Sequence, residues 1–323
     1  MLGLSSPEQN LKNCSVTSLL YDPVSTEAID LNYPYKNTHK FPGNPFIVGS
    51  VNGLICFSVE GTEFFLWNPS IRKFKKLPDS IDGCSFMYGF GYDELHDDYK
   101  IVGIDRCLGH VGFRHAKAKI FSLNSDSWTS VDNFQEGIVF IRSKGMFVNG
   151  KLYWTNNSTN RRLRYYDSWG IVSIDLADEK WEKVEKPCYG EGDFRFRLSL
   201  GVLGSDLSLF CNYWSGRVDL WVMKDDGVKE SWTRIVNINR PDNYIAHLLF
   251  PFFCKSNEGE ILFDCGSFFM IYNPKDGLNK YREVTNCDAF CDANIYVESL
   301  IWPYYKDGAK DAATTKAHMK KIM

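Results

Sequence analysis

The sequence predicts an all-β, propeller-like chain of about six four-stranded blades closed by a C-terminal strand. Three observations predict it. A unit of strand, Asp- or Asn-centred turn and strand recurs six times. The copies lie about 50 residues apart. A second hairpin, twice marked by Asn-Gly, stands between most of them.

In chain order the copies are "SLLYDPVSTEAIDL" (18–31), "FFLWNPSIRKFKKLP" (64–78), "KIFSLNSDSWTSV" (119–131), "GIVSIDLADEKWEKV" (170–184), "LWVMKDDGVKESWTRI" (220–235) and "FFMIYNPKDGLNKYREV" (268–284). Measured from the last residue of each first strand (Asp22, Asn68, Leu123, Asp175, Met223, Asn273), the spacings are 46, 55, 52, 48 and 50. Strands at such a period predict propeller blades and argue against a solenoid. The turn chemistry agrees: Asn or Asp at the first turn position bonds the nearby backbone, and a following Pro presets φ.

The intervening hairpins are "VGSVNGLICFSV" (48–59), "YGFGYDELHDDYKIVGI" (88–104), "MFVNGKLYW" (146–154), "LGVLGSDLSLFCNYW" (200–214) and "FFCKSNEGEILFDC" (252–265). Asn-Gly between apolar runs is a strong hairpin signal because both central residues need positive φ. Two hairpins per period make one blade. The first copy lacks a full hairpin before it, and "ANIYVESLIW" (293–302) follows the last copy without a partner. An unclosed ring exposes two sheet edges, so Ile295–Ile301 is expected to join the first blade beside residues 18–31. The chain then divides into residues 1–17, a linker or partial first-blade strand, residues 18–303, the propeller-like domain, and residues 304–323, a Lys- and Ala-rich tail expected to be disordered or weakly helical.

Composition narrows the function. With 323 residues, 44% hydrophobic and 15% aromatic, the chain can bury a large core. The 37 Lys and Arg against 40 Asp and Glu give a net charge of -3 without a long block of one sign, which does not suit a nucleic-acid surface. The N-terminus lacks a signal-peptide pattern, and no apolar run is long enough to span a membrane, so a cytoplasmic or nuclear location without membrane attachment is expected. Ten scattered cysteines, several inside apolar runs, are expected as buried thiols. The sequons at Asn13, Asn156 and Asn157 then carry no meaning.

"VGSVNGLICF", "LWNPSIRKFKKLP", "YGFGYDELHDDYKIVGI", "LWVMKDDGVKESW" and the closing "IYVESLI" together resemble the F-box-associated domain of plant F-box proteins, of the F-box/kelch-repeat and S-locus F-box kinds, over roughly residues 10–303. The chain contains no Gly-Gly doublet, so the likeness is to the F-box-associated pattern and not to true kelch repeats. The resemblance implies a substrate-recruiting subunit of an SCF-type ubiquitin ligase, in which an N-terminal F-box docks on the adaptor and the propeller holds the target. The first residues carry no F-box pattern, and "SSPEQNLKNCSV" resembles the linker that follows the box. The resemblance therefore implies a binding module for an unknown protein target, with the SCF adaptor and cullin as partners only if an F-box is supplied. A stand-alone binding or decoy propeller is the alternative, and a propeller enzyme ranks last.

No catalytic, cofactor or metal set is legible. His96 lies among acids in "DELHDD" without companion ligands at metal spacing. Cys287 and Cys291 form a single pair. Cys107, His110 and His115 share a loop but lack an orienting third group. The glycines of "GFGY" and "YGEGD" open no helix and read as turns. Trp67, Trp128, Trp181, Trp221 and Trp232 recur within the repeat and are expected between blades. The non-recurring loops differ. "LGHVGFRHAK" carries Phe113, Arg114 and His115; "NNSTNRRLRYYDSWG" carries Arg161, Arg162, Arg164, Tyr165, Tyr166 and Trp169; "CYGEGDFRFR" carries Tyr189, Phe194, Arg195, Phe196 and Arg197. These residue types are enriched at binding hot spots, and they are the candidate target site, with Arg groups pairing an acidic or phosphorylated segment.

Overall fold

The computed structural model describes residues 1–5, 11–22, 26–33, 45–59, 63–79, 86–105, 117–131, 138–140, 144–158, 169–188, 196–213, 217–239, 250–265, 268–287 and 292–304. All the predicted hairpins but the first form where the turn chemistry placed them. Asn52 and Gly53 have φ of 53° and 83°, and Asn149 and Gly150 have 47° and 79°. Both pairs occupy the left-handed region that a two-residue turn requires. In the other turn class, the Asn68, Asp93, Asp175 and Asn273 side chains accept the amide two residues on, closing the turn before the strands pair.

Six antiparallel sheets result. Blade 2 holds strands Pro45–Val51, Leu54–Val59, Glu63–Asn68 and Lys73–Lys76. Blade 3 runs from Phe86–Asp93 through Asp98–Asp105 and Lys117–Ser122 to Ser127–Val131. Blade 4 comprises Ile138–Phe140, Met146–Val148, Lys151–Ser158, Trp169–Asp175 and Trp181–Val184. Blade 5 comprises Phe196–Leu203, Asp206–Tyr213, Arg217–Met223 and Trp232–Asn239. Blade 6 comprises Phe250–Lys255, Ile261–Asp264, Phe269–Tyr272 and Asn279–Arg282. The first strands of successive blades touch one another around the ring, so each blade runs from an inner strand to an outer one.

Blade 1 is built from both chain ends, and here the structure corrects the sequence reading twice. The C-terminal strand is Asp292–Ile295, and it pairs with Leu2–Ser5 rather than with residues 18–31. It is the inner strand, and the N-terminus supplies the other three, Leu2–Ser5, Leu11–Cys14 and Ile29–Asp30. The pairing reaches one step past the ladder: the Met1 amine donates to the Tyr296 carbonyl, and the Tyr296 amide donates to the Met1 carbonyl. The first copy is not a hairpin. Val16–Tyr21 is a short helix, capped by Ser15, whose hydroxyl accepts the Ser18 amide, with Leu19 and Leu20 buried. It is inserted between the third and fourth strands of the blade.

Beyond Tyr296 the chain leaves the sheet and runs as a strap beneath blade 2. The buried Asn68 amide donates to the carbonyls of Ser299 (2.9 Å) and Ile301 (2.8 Å), and the Ser299 amide donates to the Ser70 hydroxyl. Trp302 then joins the core between blades 2 and 3, and Lys75 lies 3.8 Å from the Tyr304 ring centre.

The core lies between blades. Trp67 packs between blades 1 and 2, Trp128 between 2 and 3, Trp181 between 3 and 4, and Trp221 and Trp232 between 4 and 5. Two outer-strand indoles donate to the chain just past the preceding blade's outer strand, Trp128 to the Pro78 carbonyl and Trp232 to the Glu185 carbonyl. The repeat therefore carries the same indole clamp twice, which gives the recurring Trp a packing role.

The glycines of "GFGY" are not turn residues. Gly89 and Gly91 lie inside blade 3's inner strand, where a Cβ on Gly91 would stand 2.5 Å from Leu176 Cδ1 and 2.6 Å from Phe147 Cδ2 of blade 4. Both neighbours are in packed side chains, so Gly91→Ala is expected to lower stability by about 1–3 kcal/mol. A urea midpoint that falls with unchanged slope would bear this out.

Candidate functional site

Strand direction divides the propeller into two faces. One carries the hairpin turns within blades, such as Asn52–Gly53 and Asn149–Gly150, together with Met1 and the strap. The opposite face receives the connections between second and third strands and those between blades. The strands that flank the three candidate loops end on that opposite face: those ending at Asp105 and starting at Lys117, ending at Ser158 and starting at Trp169, and ending at Val184 and starting at Phe196.

Phe113, Arg114, His115, Arg161, Arg162, Arg164, Tyr165, Tyr166, Tyr189, Phe194 and Arg195 lie outside the described residues. Phe196 and Arg197 open blade 5's inner strand, where Arg197 pairs in register with Asn212. Trp169 is placed differently from a loop-tip anchor: it is buried in the core cluster between blades 4 and 5. Its ring is roofed by Lys186, whose ammonium lies 4.7 Å from the ring centre and donates to the Trp169 carbonyl.

That seam gathers residues the sequence reading did not single out. Arg217 stacks on Tyr213 with its guanidinium carbon 4.0 Å from the ring centre, and Arg234 lies 5.8 Å from the centre of Trp221. Alternation along the strand puts Arg217, Asp219 and Trp221 on one side. Register then pairs Asp219 with Asn237 and Trp221 with Arg234, and a bulge between Leu220 and Trp221 is what brings Arg234, rather than Ile235, opposite the indole. The buried Asp219 carboxylate accepts from Asn237 Nδ2 at 2.8 Å and stands 3.4 Å from Arg217 and 3.8 Å from Arg234.

The other candidate chemistries resolve into structure. Asp93 Oδ1 accepts the amides of Leu95 and His96, and Oδ2 meets His96 Nδ1 at 2.7 Å and Lys100 Nζ at 3.1 Å. His96 is thus part of a turn. Among the described residues no group of three His, Cys, Asp or Glu side chains could hold a metal ion. Burial pushes the Cys14 thiol up to about 12, and Cys287 is buried in the same cluster. His110, His115, Cys107, Cys291 and "YGEGD" lie outside the described residues. Lys144, before blade 4's inner strand, donates to Asn294 on blade 1's inner strand. No helix among the described residues is long and apolar enough to cross a membrane.

Six antiparallel blades in a ring, the first of them completed by the strand Asp292–Ile295, have the form of a β-propeller. A family model described as the F-box associated beta propeller domain matches residues 8–301, and the chain belongs to that family. In Arabidopsis thaliana it is similar to the F-box/kelch-repeat protein At3g23880, at 29% identity over 93% of this chain and 79% of that protein. It is similar also to F-box protein CPR1, at 27% identity over 86% of this chain and 73% of that protein.

Proposed function

We propose that this chain is the target-recognition module of an SCF-type ubiquitin ligase. It holds a protein target on the face that carries the three Arg- and aromatic-rich connections and catalyses nothing itself. The observation that carries this reading is the separation of faces: the stems of all three connections open opposite the face where Met1 sits against Tyr296. An adaptor-binding element joined ahead of Met1 would then leave the target face unobstructed. Ubiquitin transfer belongs to partner subunits in this scheme.

Co-purification with the SCF adaptor tests it, using the chain as it stands and a second version with a family F-box fused ahead of Met1. The expected result is adaptor binding by the fusion alone. Adaptor binding by the unfused chain would move the contact into the propeller and overturn the division of faces. A target captured by the unfused chain, and never ubiquitinated by the fusion's assembled ligase, would make the propeller a binding module independent of ligation.

A further inference from the structure

We propose that the face carrying Met1 and the strap holds a second binding surface, an apolar patch that takes a basic amphipathic helix from a partner chain. It lies opposite the target face and stands without the target-binding reading. The patch is built from the strap and from the first turn of blade 3. Leu300 is 81% exposed, Leu95 77% and Val297 58%, and Ile295, two residues before Val297, continues the strip to the end of blade 1's inner strand.

The way the strap is held accounts for this exposure. Blade 2 grips it by backbone and by Ser299: the Asn68 side chain donates to the Ser299 and Ile301 carbonyls, and the Ser299 amide donates to the Ser70 hydroxyl. Gly53 lies so close that a Cβ there would stand 2.2 Å from Ser299 Cβ and 2.9 Å from the Val297 carbonyl oxygen. The Val297 and Leu300 side chains take no part in that grip and face solvent. Leu95 stands on the other bank. Its turn joins Tyr92 to Tyr99, and Trp302, two residues beyond Leu300, lies in one core cluster with both tyrosines. Asn52 Nδ2 donates to the Tyr99 hydroxyl at 3.3 Å, so the strap and the Leu95 turn border the same Asn52–Gly53 turn. A single exposed leucine needs no explanation, but several gathered on one face mark an interaction surface.

Charge selects the occupant. Glu94 and Asp97 flank Leu95, and Glu298 lies between Val297 and Leu300; all three are exposed. Asp97 accepts from the Tyr92 hydroxyl, whereas Glu94 and Glu298 form no ion pair among the described residues. Arg72, two residues past Ser70, adds one cation at the strap's outer end. A second copy of this chain would bring like charges together across a two-fold contact, and an anionic membrane surface would be repelled. An extended segment would need an open sheet edge to pair with, and this face offers turns and a strap. A helix satisfies its own backbone. With apolar residues at i, i+3, i+4 and i+7 and lysines on its flanks, it covers the leucines and meets the carboxylates.

The test adds a fluorescent amphipathic peptide of Lys and Leu, about five helical turns long, to the full chain. Its controls are the same pattern with Glu in place of Lys and the Lys/Leu pattern interrupted by proline. Anisotropy is expected to show the Lys/Leu helix binding about tenfold or more tighter than either control. Leu95→Ser with Leu300→Ser is expected to weaken it by about tenfold or more, and Glu94→Lys with Glu298→Lys by a similar factor. Val228→Ser with Leu278→Ser removes exposed apolar groups from the turns of blades 5 and 6 on the same face and is expected to leave binding unchanged. Should a variant fail to fold, hydrogen exchange on the unaltered chain decides, with bound peptide expected to slow exchange at 94–97 and 297–301. The proposal is overturned if the Lys/Leu helix binds no better than its controls, if either the leucine or the glutamate variant leaves binding intact, or if the Val228/Leu278 variant weakens it equally. Self-association of the unaltered chain that the leucine variant abolishes would give the patch to a second copy and overturn it as well.

Discussion

A chain cut before Asp292 shows no cooperative unfolding transition, whereas one cut after Tyr304 melts within about 2 °C of the full chain. Calorimetry on the three chains checks both expectations. The first cut removes the inner strand of blade 1, exposing the Leu2–Ser5 edge, and takes away the strap with it. Losing one buried aromatic costs about 3–5 kcal/mol, and this cut loses both Tyr296 and Trp302, each buried between blades. Together with the strand ladder, that is comparable to the roughly 5–15 kcal/mol that keeps a domain folded. The closure contacts described above end at Tyr304, so the second cut spares them.

Asn68→Ala separates strap from strand. It leaves the ladder intact and removes the two hydrogen bonds that hold the strap together with the turn bond from the Ser70 amide, for an expected loss of about 2–4 kcal/mol. A loss as large as that of the long truncation would make the strap, and not the inner strand, the closing element.

What could be read from the sequence was what local chemistry determines. Asn52-Gly53 and Asn149-Gly150 fix their hairpins through backbone conformation alone, and the recurring Trp marks an interface because each blade meets its neighbour in the same way. The misreadings fall where local chemistry is ambiguous. "SLLYDP" has the apolar pair and Asp-Pro of a strand followed by a turn, yet Ser15 caps a helix over the same residues. "ANIYVESLI" has the β-branched and aromatic residues of a strand, but its ladder ends at Ile295 and the chain then follows the Asn68 side chain, a course set by distant contacts and invisible in the segment itself. The seam was hidden for a related reason. Arg234 reaches Trp221 only because a bulge shifts the register between their two strands, and Asp219 joins them from two residues before the indole.

Lys100→Met lowers the melting temperature by on the order of 5–10 °C, the largest effect expected of a single substitution here. Lys100 is nearly buried in blade 3 and bonds the Leu176 carbonyl at 2.6 Å, Glu179 at 3.1 Å and the fully buried Asp93 at 3.1 Å. Leu176 and Glu179 belong to blade 4, so one ammonium ties two blades. Removing it takes the ammonium from the buried Asp93 carboxylate and leaves it only the His96 ring and two amides, and breaking a buried pair from one side costs about 3–5 kcal/mol. The pH dependence distinguishes this cause from lost packing. Burial pushes the Asp93 carboxyl up, but hydrogen bonds from His96 and Lys100 outweigh it and hold the group below its ordinary value. A depressed carboxyl contributes its full stabilisation above the unfolded value of about 3.9, and loses it as pH falls through the folded one. Burial likewise pulls the Lys100 ammonium down, and its bonds to Glu179 and Asp93 raise it beyond that. Its contribution is complete below about 10.4 and lost as pH rises further. The unaltered chain therefore loses stability at both extremes. Lys100→Met should lose less on each side, so that its deficit is widest between pH ~5 and ~9 and narrows toward both ends. A deficit that fails to narrow toward either extreme would assign the effect to packing and remove the ion pair from the blade 3–4 junction.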